Sequence, residues 1–84
     1  MSYAVFILRR ARRDLAALPI DNYARMKEAL QMLAEEPRPR GSRKLVGREG
    51  WRMRVGDYRI IYEIDDDQQK VTILHVGHRR DVYR

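Results

Sequence analysis

The chain predicts an α+β fold, in which a small, twisted, antiparallel-rich sheet with an N-terminal strand carries two helices packed on one face. Three observations predict it. A short apolar run occupies residues 3–8, two amphipathic helical patterns fill residues 9–36, and the remainder alternates around turn residues. Helices that follow one strand and precede a run of strands cover one side of the sheet. The other side is left for a ligand.

Residues 3–8 read as a strand because the run is apolar and short. Residues 9–18 read as a helix: Ala11, Leu15 and Leu18 form a stripe, and Arg9, Arg10, Arg12 and Arg13 lie mostly off it as a solvated face. Pro19 breaks the pattern. A second helix starts at residue 20 or 22 and runs to residue 36, with Met26, Ala29, Leu30 and Leu33 as its apolar stripe. Asp21 or Asn22 is the candidate N-cap, and Pro37 and Pro39 stop the helix. The short link makes the two helices an antiparallel hairpin. Residues 38–49 are basic and partly extended, with Leu45-Val46 as a candidate short strand. Residues 65–69 form a turn, residues 70–76 a last strand, and residues 77–84 a polar tail.

Between them lies Trp51-Arg52-Met53-Arg54-Val55, then Gly56-Asp57, then Tyr58-Arg59-Ile60-Ile61-Tyr62. Gly-Asp between two alternating runs signals a two-residue hairpin loop. Val55 then faces Tyr58, Arg54 faces Arg59, Met53 faces Ile60, Arg52 faces Ile61 and Trp51 faces Tyr62. One face holds Trp51, Met53, Val55, Tyr58, Ile60 and Tyr62 as a core layer. The other holds Arg52, Arg54 and Arg59. Like charges directly opposed on a sheet cost stability, so an anionic ligand is expected to offset them. Arginine suits phosphate through its planar fork of donors.

Along the last strand, alternation puts Val71, Ile73, His75, Gly77 and Arg79 on one face. A five-residue loop pairing Ile64 with Lys70 would place that set on the arginine face, where Arg79 joins Arg59.

The 84 residues make one domain, 1–84, whose thin core favours a stabilising partner. Net charge is +6, and the 18 cationic residues are 15 arginines and 3 lysines, which favours polyanionic partners. With no cysteine, disulfides, thiolate zinc sites and cysteine nucleophiles are excluded. Val5-Phe6-Ile7-Leu8 is too short for a signal peptide and is followed by Arg9-Arg10, and no apolar run reaches membrane-spanning length. The expected location is the cytoplasm, with no membrane partner. Asp65, Asp66 and Asp67 fit no calcium loop and read as a solvated turn, so no metal or cofactor is expected.

Such a surface can cleave RNA without metal. The ribose 2′-OH attacks its own phosphate, and fixed arginines stabilise the charge that builds on the phosphate oxygens. A base is also needed. Arginine stays protonated, so Arg52 serves poorly. Histidine is the residue type suited to proton transfer near neutral pH, and the chain offers His75 and His78, although a lone histidine is most often a surface or turn residue. His78 sits amid Gly77, Arg79 and Arg80. Arg43, Lys44, Arg48, Arg54 and Arg80 are the candidate RNA-backbone contacts. Tyr83, in a tail without core periodicity, suits stacking on substrate.

The stretch from Trp51 through Ile64 resembles the central hairpin of RelE toxins, in the RelE/ParE superfamily of type II toxin–antitoxin systems. Val76-Gly77-His78-Arg79-Arg80-Asp81-Val82-Tyr83 resembles their C-terminal signature. Residues 10–19 (Arg-Ala-Arg-Arg-Asp-Leu-Ala-Ala-Leu-Pro) and Pro37 also fit, so the resemblance covers nearly the whole chain. It implies an endoribonuclease (an mRNA interferase) that cuts mRNA in the ribosomal A site and inhibits translation. It also implies neutralisation by a RelB-like antitoxin, and contact with operator DNA only through that complex. By the resemblance, Arg59 stabilises the transition state, Arg79 protonates or stabilises the leaving oxygen, and Tyr83 stacks on and orients the substrate. Arg52 and Arg54 match positions held by lysine in the best-known members, where a lysine is assigned as base. Here either Arg52 acts electrostatically, or His78 or a water serves as base. Only one residue follows Tyr83 in this sequence, so a C-terminal helix found in some relatives is expected to be absent, and direct blocking of the site is the expected mode of inhibition. A ParE-like inhibitor of DNA gyrase without RNA chemistry is the alternative, and an inactive member acting through its antitoxin complex is a third reading.

Overall fold

In the computed structural model, which describes residues 2–78, the elements are β1 (Ala4–Ile7), α1 (Arg9–Ala16), α2 (Ile20–Glu35), β2 (Ser42–Lys44), β3 (Trp51–Val55), β4 (Tyr58–Asp65) and β5 (Lys70–His78). The strands form one sheet in the order β1-β5-β4-β3-β2, with β1 parallel to β5 and the other pairs antiparallel. The core lies on one side of this sheet. Ala11 and Leu15 of α1 and Met26, Ala29, Leu30 and Leu33 of α2 pack there with Met53, Ile60, Tyr62, Val71, Ile73 and Val76. These are the residues that helical and strand periodicity turn inward.

Helix α1 ends at Ala16 rather than at residue 18. Pro19 disfavours the helical conformation in the residue before it, and the Leu18 N–H closes a tighter turn onto the Leu15 carbonyl. Helix α2 starts directly after Pro19, so neither Asp21 nor Asn22 caps it. The Tyr23 N–H closes the first turn on the Pro19 carbonyl at 2.9 Å, and Asp21 sits within that turn, where its charge complements the helix dipole.

Two contacts anchor the exit of α2. The buried Tyr62 hydroxyl donates to the Pro37 carbonyl at 2.7 Å. Arg38 spans both oxygens of Asp66 at 3.2 and 2.9 Å, and Asp66 also accepts from the Tyr3 hydroxyl at 2.8 Å. The Arg38 guanidinium lies 5.1 Å from the centre of the Trp51 ring. This cluster joins the start of β1, the exit of α2, β3 and the β4–β5 turn. Its groups are largely exposed, so its ion pair contributes modestly.

The short strand beside β3 is Ser42–Lys44, not Leu45-Val46. Residues 45–50 form a loop closed by the Leu45 N–H on the Gly50 carbonyl at 2.9 Å, and Val46 is 97% exposed. Gly50 has φ 120°, and a Cβ there would meet Leu45 Cδ1 at 3.1 Å and the Tyr62 carbonyl at 3.2 Å. The chain therefore turns into β3 only with glycine at this position.

The β4–β5 register differs from the expectation in two ways. Asp65 rather than Ile64 faces Lys70, which leaves a four-residue loop at 66–69. Val71 and Ile73 consequently face Ile64 and Tyr62 and are fully buried in the core, not on the arginine face. Burial of these apolar side chains decides the register, because a one-residue slip would expose them all. A bulge then passes over Leu74, so His75 faces Ile61 and Gly77 faces Arg59. The bulge returns the second half of β5 to the face expected of it. The strand also runs on to His78, beyond the expected end at residue 76.

Candidate nucleic-acid interface

The β3–β4 hairpin has the register that its sequence predicts, with Arg54 opposite Arg59 and Arg52 opposite Ile61. Gly56 has φ 61° and Asp57 does not share a positive φ, the pattern of a two-residue II′ loop. Strand β2 adds Arg43 directly opposite Arg52. The helix-free face thus carries two cross-strand rows. One runs Arg43, Arg52, Ile61, His75, and the other Arg54, Arg59, Gly77. Arg52 and Arg59 are half-buried, and Arg43 and Arg54 are exposed. Gly41, Arg43, Arg52, Arg54 and Arg59 line a cavity of about 330 Å³. Among the described residues no acidic side chain belongs to this lining. Guanidinium groups held on strands are preorganised for phosphate oxygens, because the sheet has already met the cost of bringing them together.

A larger cavity, about 550 Å³, lies at the opposite end of β4, with Glu49, Glu63, Asp65, Asp66 and Asp67 in its lining. Its acidic walls repel phosphate, so size does not mark the site. The charged residues of this lining are acidic apart from Lys70, its one cation among the described residues, so a polyanion is favoured at the arginine cavity over this one.

The other sequence-derived candidates divide into three groups. Lys44 pairs with Trp51, and alternation puts it on the face away from Arg43. Arg48 is exposed in the 45–50 loop, outside the cavity lining. His78 pairs with Tyr58, and their rings meet edge-on at 5.7 Å and 80°. Tyr58 and Arg59 alternate along β4, so the register separates His78 from the arginine row. Arg79, Arg80 and Tyr83 lie outside the described residues.

Periodicity did not disclose the pairing of His75 with Asp14. Strand β1 covers β5 only as far as Ile73, and α1 seals the edge beyond it. Asp14 Oδ2 accepts the Val76 N–H at 3.0 Å and lies 2.7 Å from His75 Nδ1. Arg10 Nη2 approaches His75 Nε2 to 3.5 Å. The one available signal was an acidic residue, Asp14, following a run of arginines in α1.

Known proteins share both sequence and fold with this chain. The profile of the family described as ParE toxin of type II toxin-antitoxin system, parDE, matches residues 5–83. Toxin RelG of Mycobacterium tuberculosis is 42% identical over 88 residues, covering 100% of this chain and 99% of its own. The putative toxin RelE1 of Methanocaldococcus jannaschii is 30% identical over 88 residues, covering 100% and 98%. Among solved structures, the RelBE2 toxin–antitoxin complex of M. tuberculosis contains a chain 36% identical with a TM-score of 0.85, covering 94% of this chain and 100% of that one. The archaeal RelE–RelB complex of Pyrococcus horikoshii OT3 matches at 33% identity and a TM-score of 0.85, covering 98% and 100%. Fold and sequence together define a toxin of a type II toxin–antitoxin system. The chain belongs to the ParE toxin family and is a RelE-like member of the RelE/ParE superfamily.

Proposed function

We propose that this toxin is a ribosome-dependent mRNA endoribonuclease that arrests translation. The observation that carries this reading is a cavity on the helix-free face that brings Arg43, Arg52, Arg54 and Arg59 together. A message seated there offers its phosphate to arginines on three strands. As the 2′-oxygen attacks phosphorus, Arg59 and Arg52 stabilise the charge on the phosphate oxygens, and Arg43 and Arg54 hold the flanking backbone. Arg52 acts electrostatically, since a guanidinium does not give up its proton at physiological pH. By the family resemblance, Arg79 serves the leaving oxygen and Tyr83 stacks on the substrate. By the same resemblance, Arg80 adds to the backbone contacts, whereas Lys44, on the face away from Arg43, and Arg48, outside the cavity lining, are not part of them.

The proposed partner that restrains the toxin is a RelB-like antitoxin, by analogy with the RelE–RelB complexes that share this fold. An apolar groove of about 400 Å³ beside β1, lined in part by Val5, Ile7, Leu15, Tyr23 and Leu30, suits an apolar segment of such a partner. Operator DNA is then reached only through the complex. Among the described residues no helix is long and apolar enough to cross a membrane, and the proposed site of action is the ribosome in the cytoplasm.

The matched family profile is named for ParE, which favours a second reading, inhibition of DNA gyrase without RNA chemistry. Mapping RNA 5′ ends in cells after brief induction separates the two. Cuts at fixed codon positions within translated messages support the first reading, and intact messages with DNA-damage signalling support the second.

A further inference from the structure

We propose that His75 is the general base of this toxin, positioned by Asp14 and covered by Arg10 until substrate binds. The inference rests on the endoribonuclease reading. Attack by a 2′-OH needs a group that accepts a proton near neutral pH, and none of the four arginines lining the cavity does so. The chain has two histidines. His78 lies beside Tyr58 on the other face. His75 shares a cross-strand row with Arg52, separated from it by Ile61 alone. Two strand spacings separate their backbones, about 10 Å. A ribose and its phosphate fit that span, with the phosphate at the arginines and the 2′-OH toward the imidazole.

Two features of the fold serve this placement. The bulge that skips Leu74 is what brings His75 into the arginine row, and bulges are enriched where a side chain must be re-aimed beside a site. Asp14 then fixes the ring. Its Oδ2 is held by the Val76 N–H at 3.0 Å and takes the Nδ1–H of His75 at 2.7 Å. With Nδ1 protonated, the lone pair is on Nε2. His75 and Asp14 side chains are 16% and 23% exposed, sheltered but reachable.

Among the described residues, the charged groups that meet the imidazole are Asp14 and Arg10 from α1; Arg59 is on the adjacent strand β4, and Arg52 is one strand further, on β3. Arg10 stands 3.5 Å from Nε2 and directs a cationic donor at the lone pair. A phosphate that draws Arg10 toward itself uncovers the base. The 2′-OH proton then passes to Nε2 while the 2′-oxygen bonds to phosphorus. The bond from phosphorus to the 5′-oxygen breaks, and that oxygen takes a proton from water. The products are a 2′,3′-cyclic phosphate and a 5′-hydroxyl, and the imidazolium returns its proton to solvent. Asp14 is a positioning residue in this scheme, and Arg10 a cover.

The test is single-turnover cleavage of a defined message on programmed bacterial ribosomes, between about pH 5.5 and 8 across the histidine range. His75→Asn keeps a donor toward Asp14 and removes Nε2. It should lower the rate about a hundredfold and abolish the rise of rate with pH, while the half-saturating toxin concentration and melting temperature stay near wild type. Asp14→Asn retains a carbonyl oxygen for Val76 and should slow the same step, with binding unchanged. A His75→Asn variant as fast as wild type, with the same pH profile, overturns the assignment and leaves the endoribonuclease reading intact. If His75→Asn fails to fold, the wild-type profile decides: a rate independent of pH across that range also overturns it. Absence of cleavage by the wild type at every pH removes the underlying reading, and this inference with it.

Discussion

Arg54 and Arg59 stand directly opposite each other across the β3–β4 hairpin. One step along the sheet, Arg43 and Arg52 repeat the arrangement. Opposed like charges weaken a strand pair. Their presence on the helix-free face is understandable if a polyanion occupies it.

Arg54 is exposed and supplies the cleanest test of that cost. Arg54→Thr removes one of the opposed charges and substitutes a good strand former. Stability in urea should rise by up to about 1 kcal/mol. RNA binding should weaken, and its log–log salt slope should shrink by about 0.7 for the lost charge. A destabilised variant with an unaltered slope would show that Arg54 supports the fold and not the ligand.

Burial pushes the Tyr62 phenol up to about 12 from its ordinary value of 10.0. The folded state therefore favours the neutral phenol, whose proton is donated to the Pro37 carbonyl. That stabilisation is complete below pH 10 and disappears as pH rises from 10 toward 12. It is on the order of 2 kcal/mol. Tyr62→Phe should lose about 1–2 kcal/mol at neutral pH, because Pro37 loses its donor, and should show less further loss at alkaline pH. Urea denaturation at several pH values checks this; parallel curves for the two proteins would refute it.

Arg38, and secondarily Tyr3, hold the Asp66 carboxyl below the ordinary carboxylate range. A lowered pKa stabilises the fold above the unfolded-state value near 4, and the benefit is lost as pH falls through the folded value. Asp66→Asn should therefore narrow its gap to wild type as the solution is acidified. A gap that is constant from neutrality to pH 3 would show that the carboxylate charge is irrelevant there.

Gly50→Ala should be costly for two reasons that act together. Its φ of 120° disfavours any Cβ, and the new methyl would meet the Tyr62 carbonyl at 3.2 Å. A loss of about 2 kcal/mol is expected by thermal or chemical denaturation. A neutral effect would mean that the turn into β3 relaxes freely.

The arginine face was legible in the sequence because Gly56-Asp57 defines a two-residue loop, after which every hairpin partner follows by counting. Helix α2 was legible because Met26, Ala29, Leu30 and Leu33 recur at helical spacing. The register of β5 was not. Residues 65–69 are polar throughout, so no side chain marks where the turn begins, and Leu74 continues the apolar run from Ile73 with no glycine or proline to mark the bulge. The expected loop was one residue too long, and the bulge compensated for part of that error. Leu45-Val46 has strand propensity, but Gly47 and Gly50 bend the chain away. The Asp14–His75 contact spans 61 residues, a separation at which only the assembled sheet edge brings the partners together.

The central claim is that the arginine face cleaves RNA, and single-turnover cleavage of a programmed-ribosome message by wild-type toxin and by Arg59→Leu tests it most directly. Wild type should cut the message at a codon-defined position. The variant should remain folded, bind ribosomes, and cut at least about a hundredfold more slowly, as expected when one fixed charge on the transition state is removed. Cleavage by Arg59→Leu at the wild-type rate, or an intact message with the wild-type toxin, would contradict it.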